Sequence, residues 1–170
     1  MPLITTNSRD PLSDGRQSDR ALEIRSGVIR GLAKSGLVCL AEMTFKSGRR
    51  ADLIAIDQKG QITIVEIKSS IADFRADNKW HEYTEYCDQF YFATSLDVPA
   101  DIFPQSEGFI VADKHGCEIM RESRQFKLAA ARRKAITLQF ARASAGRLER
   151  LAAHAAAPGE PMSDDILNPE

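Results

Sequence analysis

Beyond Asp19 the apolar residues first recur near the helical period. Leu22, Val28, Ile29 and Leu32 mark one face of the segment ALEIRSGVIRGLAKSG, which predicts a helix with Asp19 as N-cap and Gly36 as C-cap. The pattern then shortens to that of strands. LVCLAEMTF, RRADLIAID and QITIVEIK are three strand-like runs, with a turn at Lys46–Gly48 after the first. SSIADFRADNKWHEYTEYCD reads as one or two helical stretches, and QFYFATS as a fourth strand bounded by Asp97-Val98-Pro99. GFIVAD and CEIMRE form a strand pair around Lys114-His115-Gly116. An Ala- and Arg-rich helix is expected from about Phe126 to Ala157, broken by Pro158-Gly159-Glu160-Pro161. The order is helix, three-stranded meander, helix, strand, hairpin, helix: a mixed α/β domain over residues 19–157. Residues 1–18, rich in Pro, Ser, Asp and Asn, are expected to form a flexible arm, and residues 158–170 an acidic disordered tail.

Composition narrows the class. A chain of 170 residues with 43% apolar and 28% charged residues is ordinary for one globular domain. No run of 18 apolar residues exists, so a membrane span is not expected. MPLITTNSRDPLSDGRQ lacks the basic-then-apolar order of a signal peptide. Cys39, Cys87 and Cys117 are isolated, and His81, His115 and His154 form no HExxH pair. That argues against a disulfide framework and a zinc site, and leads us to expect a reducing, cytoplasmic location. The net charge of -1 conceals segregation. Residues 15–50 carry eight Lys/Arg against three Asp/Glu, and residues 121–150 nine against two. Residues 51–120 carry thirteen Asp/Glu against five Lys/Arg. Such blocks allow a basic surface for a polyanion such as DNA, or serve only as solvated helix faces.

The candidate chemistry lies between Arg50 and Lys68. With Gln58-Lys59-Gly60 as a three-residue loop and Gly60 in the left-handed position, Asp57 faces Gln61. Counting outward pairs Ile56 with Ile62, Ile54 with Ile64, and Asp52 with Glu66. Side chains alternate along strands, so these pairs and Lys68 share one sheet face. Opposed carboxylates stand about 4.5–5.5 Å apart at Cβ and repel. A divalent cation with a preference for hard oxygen ligands, Mg²⁺ or Mn²⁺, would offset that repulsion. The competing reading is an edge-of-sheet salt bridge to Lys68 with no chemistry. A register slip of one residue would put Asp52 and Glu66 on opposite faces.

Asp52 followed by Glu66-Ile67-Lys68 resembles the motif of the PD-(D/E)XK nuclease superfamily, with Ala51 in place of the usual proline. More narrowly, RRADLIAID…ITIVEIKSSIADFRADNKWHEYTEYCDQFYFAT resembles the MmcB-like DNA-repair family, over about Leu22 to Met120. The resemblance implies a restriction-endonuclease-like fold, a mixed central sheet flanked by helices. It implies metal held by Asp52, Glu66 and the Ile67 carbonyl, with Glu23 on the first helix as a further ligand. Lys68 would then stand beside the attacking water, making Asp52, Glu66 and Lys68 the catalytic set of a metal-dependent DNA endonuclease. Many proteins of that fold work in pairs so as to cut both strands, so a homodimer stays open.

Several residues are candidates for DNA contact. Arg49 and Arg50 stand at the strand entrance beside Asp52. Lys79 and Tyr86 either border the site and touch phosphate or a base, or belong to a segment in which Trp80, Tyr83 and Tyr86 pack onto the sheet. Arg132, Arg133 and Lys134 are a basic cluster, although three consecutive residues point around a helix. Two alternatives to a nuclease stay open: a non-catalytic DNA-binding module on the same scaffold, and a structural or partner-binding protein.

Overall fold

The computed structural model describes residues 18–156. The arm expected at 1–18, apart from Ser18, and the tail expected at 158–170 lie outside them. Helix α1 spans Asp19–Lys34. Its N-cap is Ser18 rather than Asp19: the Ser18 hydroxyl accepts the Ala21 amide, and Asp19 sits in the first turn, where an acid favours the helix dipole. At the other end Gly36 takes φ +80° just beyond the cap. Its amide bonds Ala33 O and that of Leu37 bonds Leu32 O, a Schellman closure.

Six strands follow: β1 Val38–Thr44, β2 Arg50–Ile56, β3 Ile62–Ile67, β4 Gln89–Thr94, β5 Gly108–Ala112 and β6 Cys117–Arg121. They form one sheet in sequence order. β3–β4 and β4–β5 are parallel and the other pairs antiparallel, so the expected mixed sheet flanked by helices is what the chain forms. Parallel neighbours need a crossover. Between β3 and β4 it consists of a short helix α2, Ile71–Ala76, and a 3-10 turn, Trp80–Glu85. The last helix, α3, spans Ala130–Ala156. It begins later than Phe126 because residues 122–129 form no regular element and are held by other contacts: the Phe126 amide bonds Asp88 O, and its ring lies under Arg124.

The two sheet faces carry two cores. α1 lays Ala21, Ile24, Val28 and Leu32 on Leu53, Ala55, Val65 and Ile67. The opposite face, with Ile54, Ile56, Ile62, Ile64, Phe90 and Phe92, is covered by the β3–β4 crossover, the β4–β5 connection and α3 through Tyr83, Phe103, Ile136 and Phe140. Trp80 stacks on Phe90 at 5.7 Å, which is the packing role open to it from the sequence. α1 lies so close to the β5–β6 hairpin that a Cβ on Gly27 would stand 1.8 Å from the Asp113 carbonyl oxygen.

α3 also covers the β1 edge of the sheet. Gln139 Nε2 donates to Thr44 O, and Arg147 donates to Ala41 O and Glu42 O. These bonds serve β1 carbonyls that no seventh strand pairs.

Candidate active site

The β2–β3 hairpin has the register that its loop dictates. Gly60 adopts φ +77°, and the Asp57 amide bonds Gln61 O. Ile56 pairs with Ile62, Ile54 with Ile64, and the ladder ends at Leu53–Val65. The next pair outward is Asp52 and Glu66. There the side chains take over the bonding: the Ile67 amide donates to Asp52 Oδ2 at 2.8 Å, and the Asp52 amide to Glu66 Oε1 at 3.2 Å. Both carboxylates are thereby fixed to the backbone of the facing strand.

Lys68 completes the cluster. Its Nζ is 2.7 Å from Asp77 Oδ2 and 3.7 Å from Glu66 Oε2. Its backbone is clamped on both sides: its amide bonds Ala93 O, and Thr94 Oγ1 donates to its carbonyl. The chain leaving β3 is held by reciprocal bonds at the start of α2. Asp73 Oδ2 accepts the Ser69 amide, and Ser70 Oγ accepts the Asp73 amide. α2 in turn delivers Asp77 to Lys68. On the other flank, the Tyr83 hydroxyl donates to Arg50 O at 2.7 Å and pins the start of β2.

Burial sets the electrostatics. It pushes the Asp52 carboxyl up to about 6, against the Ile67 amide and Lys68, which favour the anion; Asp73 adds to the rise. Glu66 is also raised well above the ordinary carboxylate range, by burial and then by the charge of Asp52. For Lys68, burial opposes the ammonium, yet Glu66 and Asp77 together hold its pKa above the ordinary lysine value. Asp77 also loses solvation, and the Lys68 bond outweighs that and keeps it below the usual range. The result is two carboxylates that resist sharing negative charge, beside one firmly charged lysine.

The strands kink beside this pair. Glu42 has φ +53°, a left-handed conformation that costs a non-glycine residue about 1–2 kcal/mol. Leu40 and Met43 consequently lie in the same core, as do Ala51 and Ile54 opposite them. The kink turns Glu42 inward to 3% exposure. There it faces Arg25 at 3.9 Å and Arg50 at 3.7 Å. The Arg25 side chain is itself buried. The sequence reading gave no role to Arg25, Glu42, Asp73 or Asp77. The signal for the first two was present: a charged residue on the apolar face of α1, and an acid inside an apolar strand.

The other candidates scatter. Glu23 does not join the pair: α1 packs on the opposite sheet face, and Glu23 is exposed in a groove with Ser95, Asp97 and His115. Arg49 is bidentate to Glu82 at 2.6 and 2.9 Å. Lys79 is exposed near the cluster, its amide bonded to Asp77. Tyr86 stacks on Phe45 at 4.6 Å, with Arg132 over its ring at 5.4 Å. Arg132 also bonds Glu85. Arg133 points elsewhere, as consecutive helix positions must. It is bidentate to Asp88 at 2.6 Å in both bonds and donates to Gly60 O, so it ties α3 to the hairpin instead of facing a ligand.

Among the described residues no three His, Cys, Asp or Glu side chains are arranged to hold a metal. Asp52 and Glu66 supply two hard oxygen donors, and the Ile67 carbonyl lies between Glu66 and Lys68 in sequence. A divalent ion fits this set through its charge, because burial and mutual repulsion disfavour two carboxylates there and a cation would offset both. No helix of the described residues is long and apolar enough to cross a membrane.

Comparison with known proteins adds two findings. The family described as "DNA repair protein MmcB-like" matches residues 8–155. A solved structure of a protein of unknown function from Silicibacter pomeroyi superposes with TM-score 0.78 at 36% identity, covering 84% of this chain and 97% of that one. No curated protein matches.

Proposed function

Because the chain belongs to the MmcB-like DNA-repair family, we propose that it acts on DNA as a Mg²⁺- or Mn²⁺-dependent endonuclease of the PD-(D/E)XK kind. The observation that carries this reading is the Asp52–Glu66 confrontation. Two opposed carboxylates, both lifted by burial, stand beside a lysine that stays charged. A purely structural ion pair has no need of the second acid.

Asp52 and Glu66 each have one oxygen anchored to a backbone amide. Asp52 Oδ1 and Glu66 Oε2 would take the ion, with the Ile67 carbonyl beside them. The chemistry a divalent ion would supply there is polarisation of a phosphoryl oxygen and a lowered pKa of bound water. Lys68 provides a fixed positive charge for the negative charge that develops as water attacks phosphorus. Asp77 orients the ammonium, and Tyr83 keeps Arg50, and with it the entrance of β2, in place. Exposed Lys79 stands where a phosphate flanking the scissile bond would approach.

One observation favours a second reading, a non-catalytic DNA-binding module. Glu23, the expected helix-borne acid, is not at the cluster, which leaves two carboxylates where more would hold the ion tighter. Cleavage of duplex, nicked, flapped and branched DNA by the purified protein with Mn²⁺ separates the readings. We expect cleavage that Asp52→Ala abolishes. No metal-dependent cutting, or equal cutting by Asp52→Ala, rejects the nuclease; salt-sensitive DNA binding that survives Glu66→Ala and Lys68→Ala supports the module.

A further inference from the structure

We propose that the groove between α3 and the edge of β1 holds a single DNA strand, so that the substrate is DNA with a single-stranded segment beside the cut. The inference rests on reading Asp52, Glu66 and Lys68 as a DNA-hydrolysing centre for its biological sense, and on the groove alone for its physics.

The groove encloses about 820 Å³. One stripe of α3, from Arg132 through Gln139, Arg142 and Gly146 to Arg150, forms one wall, and Met43–Lys46 the other. Its charge is one-sided. Lys46, Arg132, Arg142, Arg147 and Arg150 line it, and Glu42 is its one acidic lining residue. Glu42 is buried and already faces Arg25 and Arg50, and Arg147 is spent on the β1 carbonyls. Lys46 and Arg142 are exposed, and among the described residues no acid pairs with them. Arg150 folds back over Gly146, where a Cβ would stand 3.3 Å from its Nη1. Its Nε is buried and has no hydrogen-bond partner among the described residues.

Between the cations the lining is apolar and aromatic. Tyr86 lies stacked on Phe45 with Arg132 over its ring, and Leu138 is 58% exposed. Cations that track a backbone, interleaved with flat and apolar surfaces, fit a single strand whose bases are free to stack. A duplex hides its base faces, and a cleft of this volume is of the size that takes small ligands. The eighteen steps from Arg132 to Arg150 span about 27 Å at 1.5 Å per residue. That is the length of about eight nucleotides at ~3.4 Å per step, and fewer if the strand is stretched. The inner end lies at Glu42, which stands beside Asp52 across the β1–β2 pair. A strand in the groove therefore passes beside the Asp52–Glu66 end of the hairpin.

Fluorescence anisotropy with labelled dT12 and a 12-base-pair duplex, in EDTA and at several salt concentrations, tests the proposal without cleavage. We expect dT12 to bind more tightly than the duplex. The double variant Lys46→Glu/Arg142→Glu should weaken dT12 at least tenfold and lower the salt slope by about 1.4, that is ~0.7 per lost phosphate contact. If that variant does not fold, photocrosslinking of wild type to a 4-thiothymidine dT12 should mark peptides containing Tyr86 or residues 132–150. Unchanged dT12 affinity in the folded variant, preference for duplex, or crosslinks elsewhere would overturn the proposal. A change of oligomeric state in the variant, seen by ultracentrifugation, would overturn it too and identify the groove as a contact between two copies of the chain. Failure of metal-dependent cleavage with dT12 binding intact would reject the nuclease reading and leave the groove standing.

Discussion

Replacing Asp52 by asparagine should make the metal-free protein more stable. A carboxyl raised from 3.8 to about 6 by the fold is a charged group that the folded state disfavours at neutral pH. At about 1.4 kcal/mol per tenfold, that penalty is about 3 kcal/mol at most. The introduced carboxamide would keep an oxygen for the Ile67 amide while losing the charge-assisted part of that bond and the attraction to Lys68, so the net gain should be nearer ~2 kcal/mol. In a domain of this size each kcal/mol is worth about 2–4 °C, giving a rise of about 4–8 °C in Tm. The pH dependence has a definite sign. Where a folded carboxyl has the higher pKa, the folded state binds more protons, and stability falls as pH rises through that range. The gap between Asp52→Asn and wild type should therefore be full at pH 8 in EDTA. It should shrink as pH falls through about 6, be small by pH 4, and close only below the ordinary value of 3.8, where the carboxyl is protonated in the folded and the unfolded state alike. Mn²⁺ should reverse the order, since it stabilises wild type by about 2.7 kcal/mol at a hundred times its Kd and finds one carboxylate fewer in the variant. Differential scanning fluorimetry over pH 4–8, with EDTA or Mn²⁺, reads all of this. An Asp52→Asn protein that melts at or below wild type at pH 8 in EDTA, or an equal Mn²⁺ shift in both, would refute the argument that the pair is electrostatically strained and awaits a cation.

Two further predictions separate scaffold from site. Arg133→Ala should cost about 2–3 kcal/mol in chemical denaturation, less than a fully buried pair because the Arg133 side chain is 33% exposed, and dT12 affinity per folded molecule should stay within twofold of wild type; a tenfold loss would return Arg133 to the DNA contacts. Gly27→Ala should lower stability by about 3 kcal/mol or more, at the upper end of overpacking penalties, because the new methyl meets the backbone carbonyls of Asp113 and Gly116 at 1.8 and 2.5 Å; a Tm within about 2 °C of wild type, less than 1 kcal/mol in a domain of this size, would show that α1 is freer to shift than this contact implies.

What the sequence made readable, and what it hid, divides along a physical line. The β2–β3 register followed from one loop, because Gly60 fixes the turn and alternation carries the count to Asp52 and Glu66. Local rules reach that far. They do not reach Asp77, nine residues beyond Lys68, which meets it only because α2 turns the chain back. Glu23 looked like a ligand because helical spacing gives a face without saying which sheet face the helix covers; Arg25, two residues on, is the residue turned inward, toward Glu42. The kink at Glu42 breaks strand alternation and so cannot be found by a period. Arg132 and Arg133 share composition and neighbourhood, yet one stacks on Tyr86 and the other anchors Asp88. Only the angular step along α3 separates them. The fold class was legible because each strand run is long and apolar enough to be recognised by itself, whereas the start of α3 was misplaced by Phe126, an apolar residue in a segment without regular secondary structure.

The bonds from Gln139 and Arg147 to β1 have a consequence for how the chain is made. They join residues 95 and 106 positions apart. At about 5–20 residues per second, a ribosome that has released β1 needs roughly 5–20 s more to release the side chains that cover it. Throughout that interval a nascent sheet offers its open carbonyl row to any neighbouring strand, including the same strand on the next ribosome of a polysome. The protein's yield in the cell is therefore tied to the part of the chain synthesised late, and slower translation ahead of α3 lengthens the exposure.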